Sequence, residues 1–149
     1  MPARRKIPAR LQEQVRQRAN NLCEYCHASE KWQYVRFTVD HIVPLAQAGA
    51  YSFDNLALAC FHCNRRKADK VVATDPDRKE TVPLFHPRRQ VWSEHFTWAT
   101  DRVTIVGLTA VGRVTIAALA LNRERVIAIR AADHIAGRHP PPYDPIQGR

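Results

Sequence analysis

The sequence predicts an α+β protein whose short strands and helices are arranged around two Cys-x-x-Cys pairs. The first pair is Cys23 and Cys26, and the second is Cys60 and Cys63. An aromatic and β-branched run between the pairs predicts a strand, and apolar residues at helical spacing predict helices. A chain of 149 residues usually forms one domain. We therefore expect four parts: a basic arm over residues 1–10, a main domain over 11–73, a C-terminal extension packed on it over 74–136, and a proline-rich tail over 137–149.

An N-terminal helix is predicted from Pro8 onward. Leu11, Val15 and Ala19 recur at four-residue spacing, which is typical of one helix face. Proline suits the first helical turn, and Asn20 begins a pair of asparagines that can end the helix. The basic residues before the helix suit an arm that lies on phosphates, although a frayed and solvated terminus explains them equally well.

The segment between the cysteine pairs predicts a strand, a loop and the start of a helix. Residues 32–39 are rich in aromatic and β-branched side chains and predict the strand. Pro44 has no amide hydrogen, so the residues around it can pair only briefly or at a sheet edge. A helix capped by Ser52 or Asp54 is predicted to run from Leu56 through the second cysteine pair.

The C-terminal half predicts small elements that enlarge the core. An irregular segment is expected around Pro83 and Pro87, and an extended tail from Gly137. Asn122 is expected to cap the last helix. The predicted elements are strands around 96–98 and 103–106 and helices over 112–121 and 122–136.

The four cysteines predict a closed zinc site. Zinc takes four thiolates in tetrahedral geometry, and a tight Cys-x-x-Cys turn directs two sulfurs to one point. The pairs are farther apart than the roughly 15–20 residues of common zinc ribbons, so an inserted substructure is expected between them. Disulfides, a redox pair and cysteines buried by chance are the alternatives. His27 follows the first pair, but four thiolates leave it no vacant ligand position.

The formal net charge of +9 indicates a polyanionic partner. Charge by itself does not separate DNA from RNA or from an anionic membrane surface. No apolar run approaches the ~20 residues that span a bilayer, and no signal-peptide pattern follows the basic start. We therefore expect a cytoplasmic protein that does not enter a membrane.

Asp40 and His41 stand side by side in the insert, and Asn55 and Asn64 follow. Phosphodiester hydrolysis requires a deprotonated water and neutralisation of the charge that builds up on the phosphate. A neutral imidazole can take the proton, and carboxylate and amide oxygens are hard ligands suited to Mg²⁺ or Mn²⁺. Taken alone, Asp40 and His41 also fit an ordinary surface turn.

Three runs resemble the HNH endonuclease family: Asp40-His41-Ile42-x-Pro44, Asn55-Leu56 and Cys60-x-x-Cys63-Asn64-x-x-Lys67. The resemblance covers about residues 20–70 and implies a ββα-metal core, in which a β-hairpin and a helix hold a catalytic Mg²⁺ or Mn²⁺ ion. It implies that Asp40 and Asn64 bind this ion and that His41 is the general base. Asn55 would orient His41. An asparagine, Asn64, stands where other members have a histidine.

A basic cluster follows the second cysteine pair: Arg65, Arg66, Lys67 and Lys70. On a helix beside a metal site these residues are candidates for contact with backbone phosphates, which position a nucleic acid without reading its sequence. Lys67 has two other interpretations, pairing with Asp69 or solvation of its helix face. His62 faces either solvent and DNA or a metal.

These observations together predict a divalent-metal-dependent endonuclease that acts on DNA, double-stranded DNA above all, and is stabilised by structural Zn²⁺. The resemblance implies products with 5′-phosphate and 3′-hydroxyl ends. A non-catalytic zinc-dependent nucleic-acid-binding module is the alternative, and an RNA-processing or toxin nuclease is a third. A pure binding ribbon gives no reason for Asp-His, Asn and Asn to occur at these positions.

Overall fold

The computed structural model describes residues 6–144. Residues 1–5 of the predicted arm and 145–149 of the predicted tail lie outside this range. The boundaries predicted between arm, main domain, extension and tail stay predictions. The described elements are helices α1 (Ala9–Arg18), α2 (Phe61–Lys67), α3 (Trp92–His95), α4 (Ala110–Leu119) and α5 (Glu124–Ile135), and strands β1 (Thr38–His41), β2 (Leu56–Ala59), β3 (Val72–Thr74), β4 (Thr81–Pro83), β5 (Phe96–Trp98) and β6 (Ile105–Gly107).

A ββα unit lies at the centre of the fold. Strands β1 and β2 pair antiparallel, with Thr38 opposite Ala59 and His41 opposite Leu56. Helix α2 follows β2 directly, and the Cys60 sulfur at its N-cap accepts a hydrogen bond from the Cys63 amide at 3.4 Å. The predicted α+β class and ββα core are confirmed.

Two predicted elements around this unit are wrong in detail. The strand begins at Thr38 rather than at residue 32, because β2 offers only four residues for pairing and residues 33–36 lie exposed before it. The segment Leu56–Ala59 is a strand and not the first turn of a helix. All four of its side chains are fully buried, and a short buried apolar run has no periodicity that separates strand from helix.

Helix α1 is present as predicted and is fixed to the hairpin by its arginines. Pro8 precedes the helix, and Asn20 takes a positive φ of 53° just beyond its end. Arg16 is buried and donates to the Phe37 carbonyl at 2.6 Å, while Glu30 accepts the Phe37 amide at 2.6 Å. Arg16 of α1 and Glu30, whose side chains pair at 3.4 Å, therefore hold the residue that precedes β1.

The C-terminal extension adds two small antiparallel hairpins and two helices. The pair β5–β6 and the two helices confirm their predictions, whereas the segment around Pro83 contains strand β4, paired with β3. Helix α4 lies against α2, β3, β4 and β6. A Cβ atom at Gly112 would lie 2.1 Å from the His95 carbonyl oxygen, so only glycine permits α4 to approach this closely.

Asn122 does not cap α5, whose N-cap is Arg123. The Asn122 side chain instead accepts a hydrogen bond from the Ile105 amide at 2.8 Å and donates one to the Ile105 carbonyl at 2.7 Å. These two bonds continue the edge of β6. One hydrophobic cluster joins the two halves of the chain and contains Val15 of α1, Leu58 of β2 and Leu119 of α4.

The described part of the predicted tail folds back onto this core. Asp144 is buried, and its Oδ2 atom lies 3.1 Å from His27 Nδ1 and accepts the Trp98 indole N–H at 3.0 Å. Residues 137–144 therefore do not extend away from the protein, because the Asp144 carboxylate has buried partners in both halves of the chain.

Candidate active site and cysteine cluster

The four cysteines converge at one buried point. Their sulfur atoms all lie within 4.8 Å of one another, and the sulfurs of Cys26 and Cys60 are 3.8 Å apart. Zinc–sulfur bonds of about 2.3 Å in a regular tetrahedron place the sulfurs about 3.8 Å apart, whereas a disulfide requires about 2.05 Å. The cluster has the dimensions of a tetrathiolate metal site.

The ionisation of these thiols also suits a bound cation. Hydrogen bonds from the neighbouring thiols, that of Cys23 first, lower the pKa of Cys26 well below its usual value. Burial raises the pKa of Cys23, and hydrogen bonding with Cys23 and then Cys26 raises that of Cys63. Cys26 is therefore the most readily ionised of these three thiols, and a cation at the centre of the cluster would favour the ionised form of each.

The two residues inside the first cysteine pair attach the cluster to the hairpin. Glu24 donates its amide to the Leu58 carbonyl and accepts the Leu58 amide on its carboxylate, each at 2.8 Å. Tyr25 is fully buried and donates its hydroxyl to Asp40 Oδ2 at 3.2 Å. His27 stacks on Trp92 at 3.9 Å between ring centroids and lies outside the group of converging sulfurs.

A separate cleft of about 730 Å³ brings together Asp40, His41 and Asn64. Asp40 and His41 are the last two residues of β1, and Asn64 comes from α2. Asp69, just beyond α2, also lines this cleft. Three of the four residues assigned to catalysis or catalytic metal binding therefore share one polar surface, although they come from two elements.

Asp40 is held by two buried donors. Besides the Tyr25 hydroxyl, the Lys67 ammonium lies 3.1 Å from Asp40 Oδ2 and donates to the His41 carbonyl at 3.2 Å. Burial, and after it the negative charge of Asp40, raise the pKa of Tyr25 well above its usual value, so the phenol remains a hydrogen-bond donor. Tyr25 and Lys67 thus fix the orientation of the carboxylate.

Asn55 acts on the backbone that follows His41. Its amide accepts the Val43 N–H at 2.9 Å and donates to the carbonyls of Val43 and Ala50 at 2.9 and 2.8 Å. The backbone carbonyl of Asn55 accepts a hydrogen bond from the Ile42 N–H at 2.9 Å. The Asn55 amide group therefore closes the loop that follows His41, and the orienting of His41 by Asn55 stays a prediction.

The basic cluster divides into exposed and buried members. Arg65, Arg66 and Lys70 are exposed, whereas Lys67 has 1% of its surface accessible. The prediction that Lys67 contacts phosphate is wrong for this arrangement, because its ammonium is enclosed with Asp40. His62 is exposed; burial, and then the charge of Arg123, lower its pKa.

Sequence reasoning missed the roles of Tyr25 and Lys67. A signal for Lys67 existed: it lies four residues after Cys63, so the two side chains share a helix face, and that face is buried. Tyr25 offered no such signal, because its partner lies 15 residues away in a different element.

Comparison with known families now agrees with this geometry. Residues 23–70 match the family model for HNH endonuclease. The matched segment contains both cysteine pairs, the β1–β2 hairpin and α2. No curated protein matches the chain. The resemblance to HNH endonucleases is thus confirmed over residues 23–70, while the C-terminal extension lies outside the match. Among the described residues, no helix is long and apolar enough to cross a bilayer.

Proposed function

We propose that this protein is a metal-dependent endonuclease that hydrolyses DNA phosphodiester bonds. The observation that carries the proposal is the single cleft lined by Asp40, His41 and Asn64 beside a buried cysteine cluster. Nuclease activity is the chemistry typical of the family that matches residues 23–70.

The donors in the cleft fit a hard divalent ion. A carboxylate oxygen from Asp40 and an amide oxygen from Asn64 suit Mg²⁺ or Mn²⁺, and Asp69 offers a second carboxylate nearby. The bound ion supplies positive charge for the phosphate and the leaving oxygen. Tyr25 and Lys67 hold Asp40 in place, which is how outer partners commonly orient a ligating carboxylate.

His41 is assigned as the general base that removes a proton from the attacking water. The imidazole lies at the end of β1, where the backbone carbonyl is held by Lys67 and the next residues are held by Asn55. A base must be positioned within hydrogen-bond reach of its proton, and these backbone contacts provide that positioning. Asn55 is therefore a positioning residue that acts through the loop.

The cysteine cluster is assigned a structural role with Zn²⁺. A tetrathiolate site has no open coordination position for substrate, and all four cysteines here are buried. The site's contribution is to hold the first cysteine turn against the start of α2, because these two elements supply its ligands.

The deciding experiment is plasmid cleavage by purified protein with Mg²⁺, with Mn²⁺ and with a chelator that leaves the zinc bound. We expect metal-dependent nicking or linearisation. His41→Ala should lower the rate by about 10²–10⁴-fold while zinc content and thermal unfolding stay unchanged. His134→Ala, an exposed histidine on α5, is the matched control and should cut at the wild-type rate.

The outcomes separate the candidate functions. DNA binding without cleavage under any divalent ion would favour the non-catalytic binding module. Cleavage of an RNA strand with no cleavage of plasmid would favour an RNA-processing nuclease. Wild-type cleavage by folded His41→Ala protein would show that the general base is a different group.

Phosphate contact is assigned to the exposed residues Arg65, Arg66 and Lys70 of the basic cluster. Each phosphate contact contributes about 0.9 to the slope of log K against log salt for duplex DNA. Replacing all three by alanine should therefore shrink that slope by up to about 2.7. The matched control replaces three exposed basic residues around the β3–β4 and β5–β6 turns: Arg78, Lys79 and Arg102. Equal slopes for the two triple variants would place the contacts elsewhere.

A further inference from the structure

A second cavity is lined by Cys26, Cys60 and Cys63, none of which lines the proposed active site. It has a volume of about 240 Å³ and is bordered by the first cysteine turn, the start of α2 and helix α5. Phe37 lines both this cavity and the cleft that contains Asp40 and His41. The two spaces are therefore neighbours that share one wall.

Three exposed aromatic residues line this cavity. Trp32 and Phe61 are 41% and 52% exposed, and Tyr34 is fully exposed. Soluble proteins tend to bury such rings or leave them exposed singly, so three at one cavity indicate a ligand surface. The volume is below the roughly 300–1,000 Å³ of pockets for drug-sized ligands. It suits one planar group rather than a larger molecule.

The charges at the cavity are mainly positive. Among the described residues that line it, Arg123 and Arg138 are accessible, and Asp133 is the one carboxylate. The Arg138 guanidinium lies over the Trp32 ring at 4.3 Å from its centroid. The Arg65 guanidinium lies 5.9 Å from the Phe61 ring centroid, so the cavity continues into the exposed basic face of α2.

We propose that this cavity binds an unpaired nucleobase of the nucleic-acid substrate, with the adjoining arginines on the flanking phosphates. Aromatic platforms combined with a positive groove are the general means by which proteins hold single-stranded nucleic acid, because every base has a stacking face. The inference rests on the proposed nuclease function and assigns a use to the C-terminal extension and the tail, which supply Arg123 and Arg138 respectively.

The test measures binding without cleavage, in the His41→Ala background. The probes are a short fluorescein-labelled oligodeoxythymidine strand and a hairpin duplex of equal charge. Trp32→Leu and Phe61→Leu each keep an apolar side chain but remove the stacking face. Each should weaken single-strand binding by about 10–100-fold and change duplex binding by less than about twofold. Tyr143→Leu, an exposed aromatic residue away from the cavity, is the control.

A cross-linking arm locates the base directly. Irradiation of an oligonucleotide that contains 5-iodouracil should join it to the peptide around Trp32 and Tyr34 or to that around Phe61. Cross-links confined to other peptides, or unchanged single-strand affinity in both leucine variants, would overturn the proposal. Equal weakening for strand and duplex would also overturn it, because stacking of an unpaired base predicts a difference.

Failure of this proposal is distinguishable from failure of the nuclease assignment. If the protein binds the single strand through Trp32 and Phe61 but never cuts DNA, the base-binding proposal is supported and the nuclease proposal is contradicted. If the protein cuts DNA but binds the single strand equally well after Phe61→Leu, only the base-binding proposal is contradicted.

Discussion

The cysteine cluster and the Asp40 cleft are built from the same short elements but differ in solvent access. Both take residues from α2, where Cys63 is buried in the cluster and its neighbour Asn64 is half-buried in the cleft. The cluster consists of four buried sulfurs, whereas the cleft has mixed polar donors around about 730 Å³ of space. A closed site can hold elements together, while an open one admits substrate.

Tyr25 connects the two regions. Its backbone lies inside the first cysteine turn, and its hydroxyl reaches the carboxylate of the cleft. The first cysteine turn therefore also supports the geometry of the cleft. Functional groups held by packed outer partners retain their orientation better than those on free loops. Changes at Cys60, Asp40 and Tyr25 separate this connection from the independent contribution of each region.

The largest effect is expected from Cys60→Ser, which removes a thiolate from the closed site. Zinc binding contributes about 10–16 kcal/mol apparent in finger peptides, which is comparable to the whole unfolding free energy of a domain, about 5–15 kcal/mol. We expect loss of zinc by elemental analysis and loss of cooperative unfolding by circular dichroism. Folded, active protein that contains no zinc would contradict the structural assignment.

An intermediate effect is expected from Asp40→Asn in the open site. This change should weaken Mn²⁺ binding, and it also leaves the Lys67 ammonium buried without its carboxylate partner. Breaking a buried ion pair from one side typically costs about 3–5 kcal/mol. The single variant should therefore lose stability in chemical denaturation as well as metal affinity.

The double variant Asp40→Asn with Lys67→Met separates these two losses. Replacing both charges removes the buried, unpaired ammonium, so most of the stability should return. Mn²⁺ affinity, measured by calorimetry, should stay low because the ligand is still missing. If the double variant regained Mn²⁺ affinity together with stability, Asp40 would be a folding residue and not a metal ligand.

The architecture of the matched segment was predictable because its constraints are local in sequence. Two Cys-x-x-Cys turns determine where the four sulfurs meet. Asp40 and His41 lie between these turns in the sequence, and Asn64 directly follows the second one. Chemical type and spacing therefore identified three residues that line one cleft, whereas Asn55 does not line it. The strand Leu56–Ala59 was not predictable in the same way, because its form depends on the partner strand and on burial from both sides.

The partners of Lys67, Asn55 and Asp144 depend on contacts across the fold. The basic run that contains Lys67 predicts a surface cation. Lys67 instead lies on the buried face of α2 together with Cys63, and its ammonium contacts Asp40. The side-chain amide of Asn55 can form hydrogen bonds with an imidazole or with a loop backbone. It bonds with the backbone here because the folded loop brings Val43 and Ala50 within reach. The buried Asp144 carboxylate contacts His27, which lies 117 residues away in the sequence.

The smallest effect, and the most direct test of the connection, is expected from Tyr25→Phe. The change removes one hydroxyl that donates to Asp40 Oδ2 and leaves the ring, the cysteine turn and Lys67 in place. Loss of an outer partner of a metal ligand typically costs about 10–100-fold in metal affinity or activity. We expect Mn²⁺ affinity to fall by about tenfold, while zinc content stays at the wild-type level.

Tyr143→Phe is the matched control, because that tyrosine is 68% exposed and does not line the Asp40 cleft. It should leave Mn²⁺ affinity unchanged. Removing a hydrogen bond to a charged group costs about 1.5–3 kcal/mol of stability, so denaturation of the Tyr25 variant must be measured in parallel with Mn²⁺ binding. A destabilised variant with full Mn²⁺ affinity would mean that Tyr25 serves folding alone and that the two regions are independent. Reduced affinity with retained zinc would mean that the closed site positions the open one through this single hydroxyl.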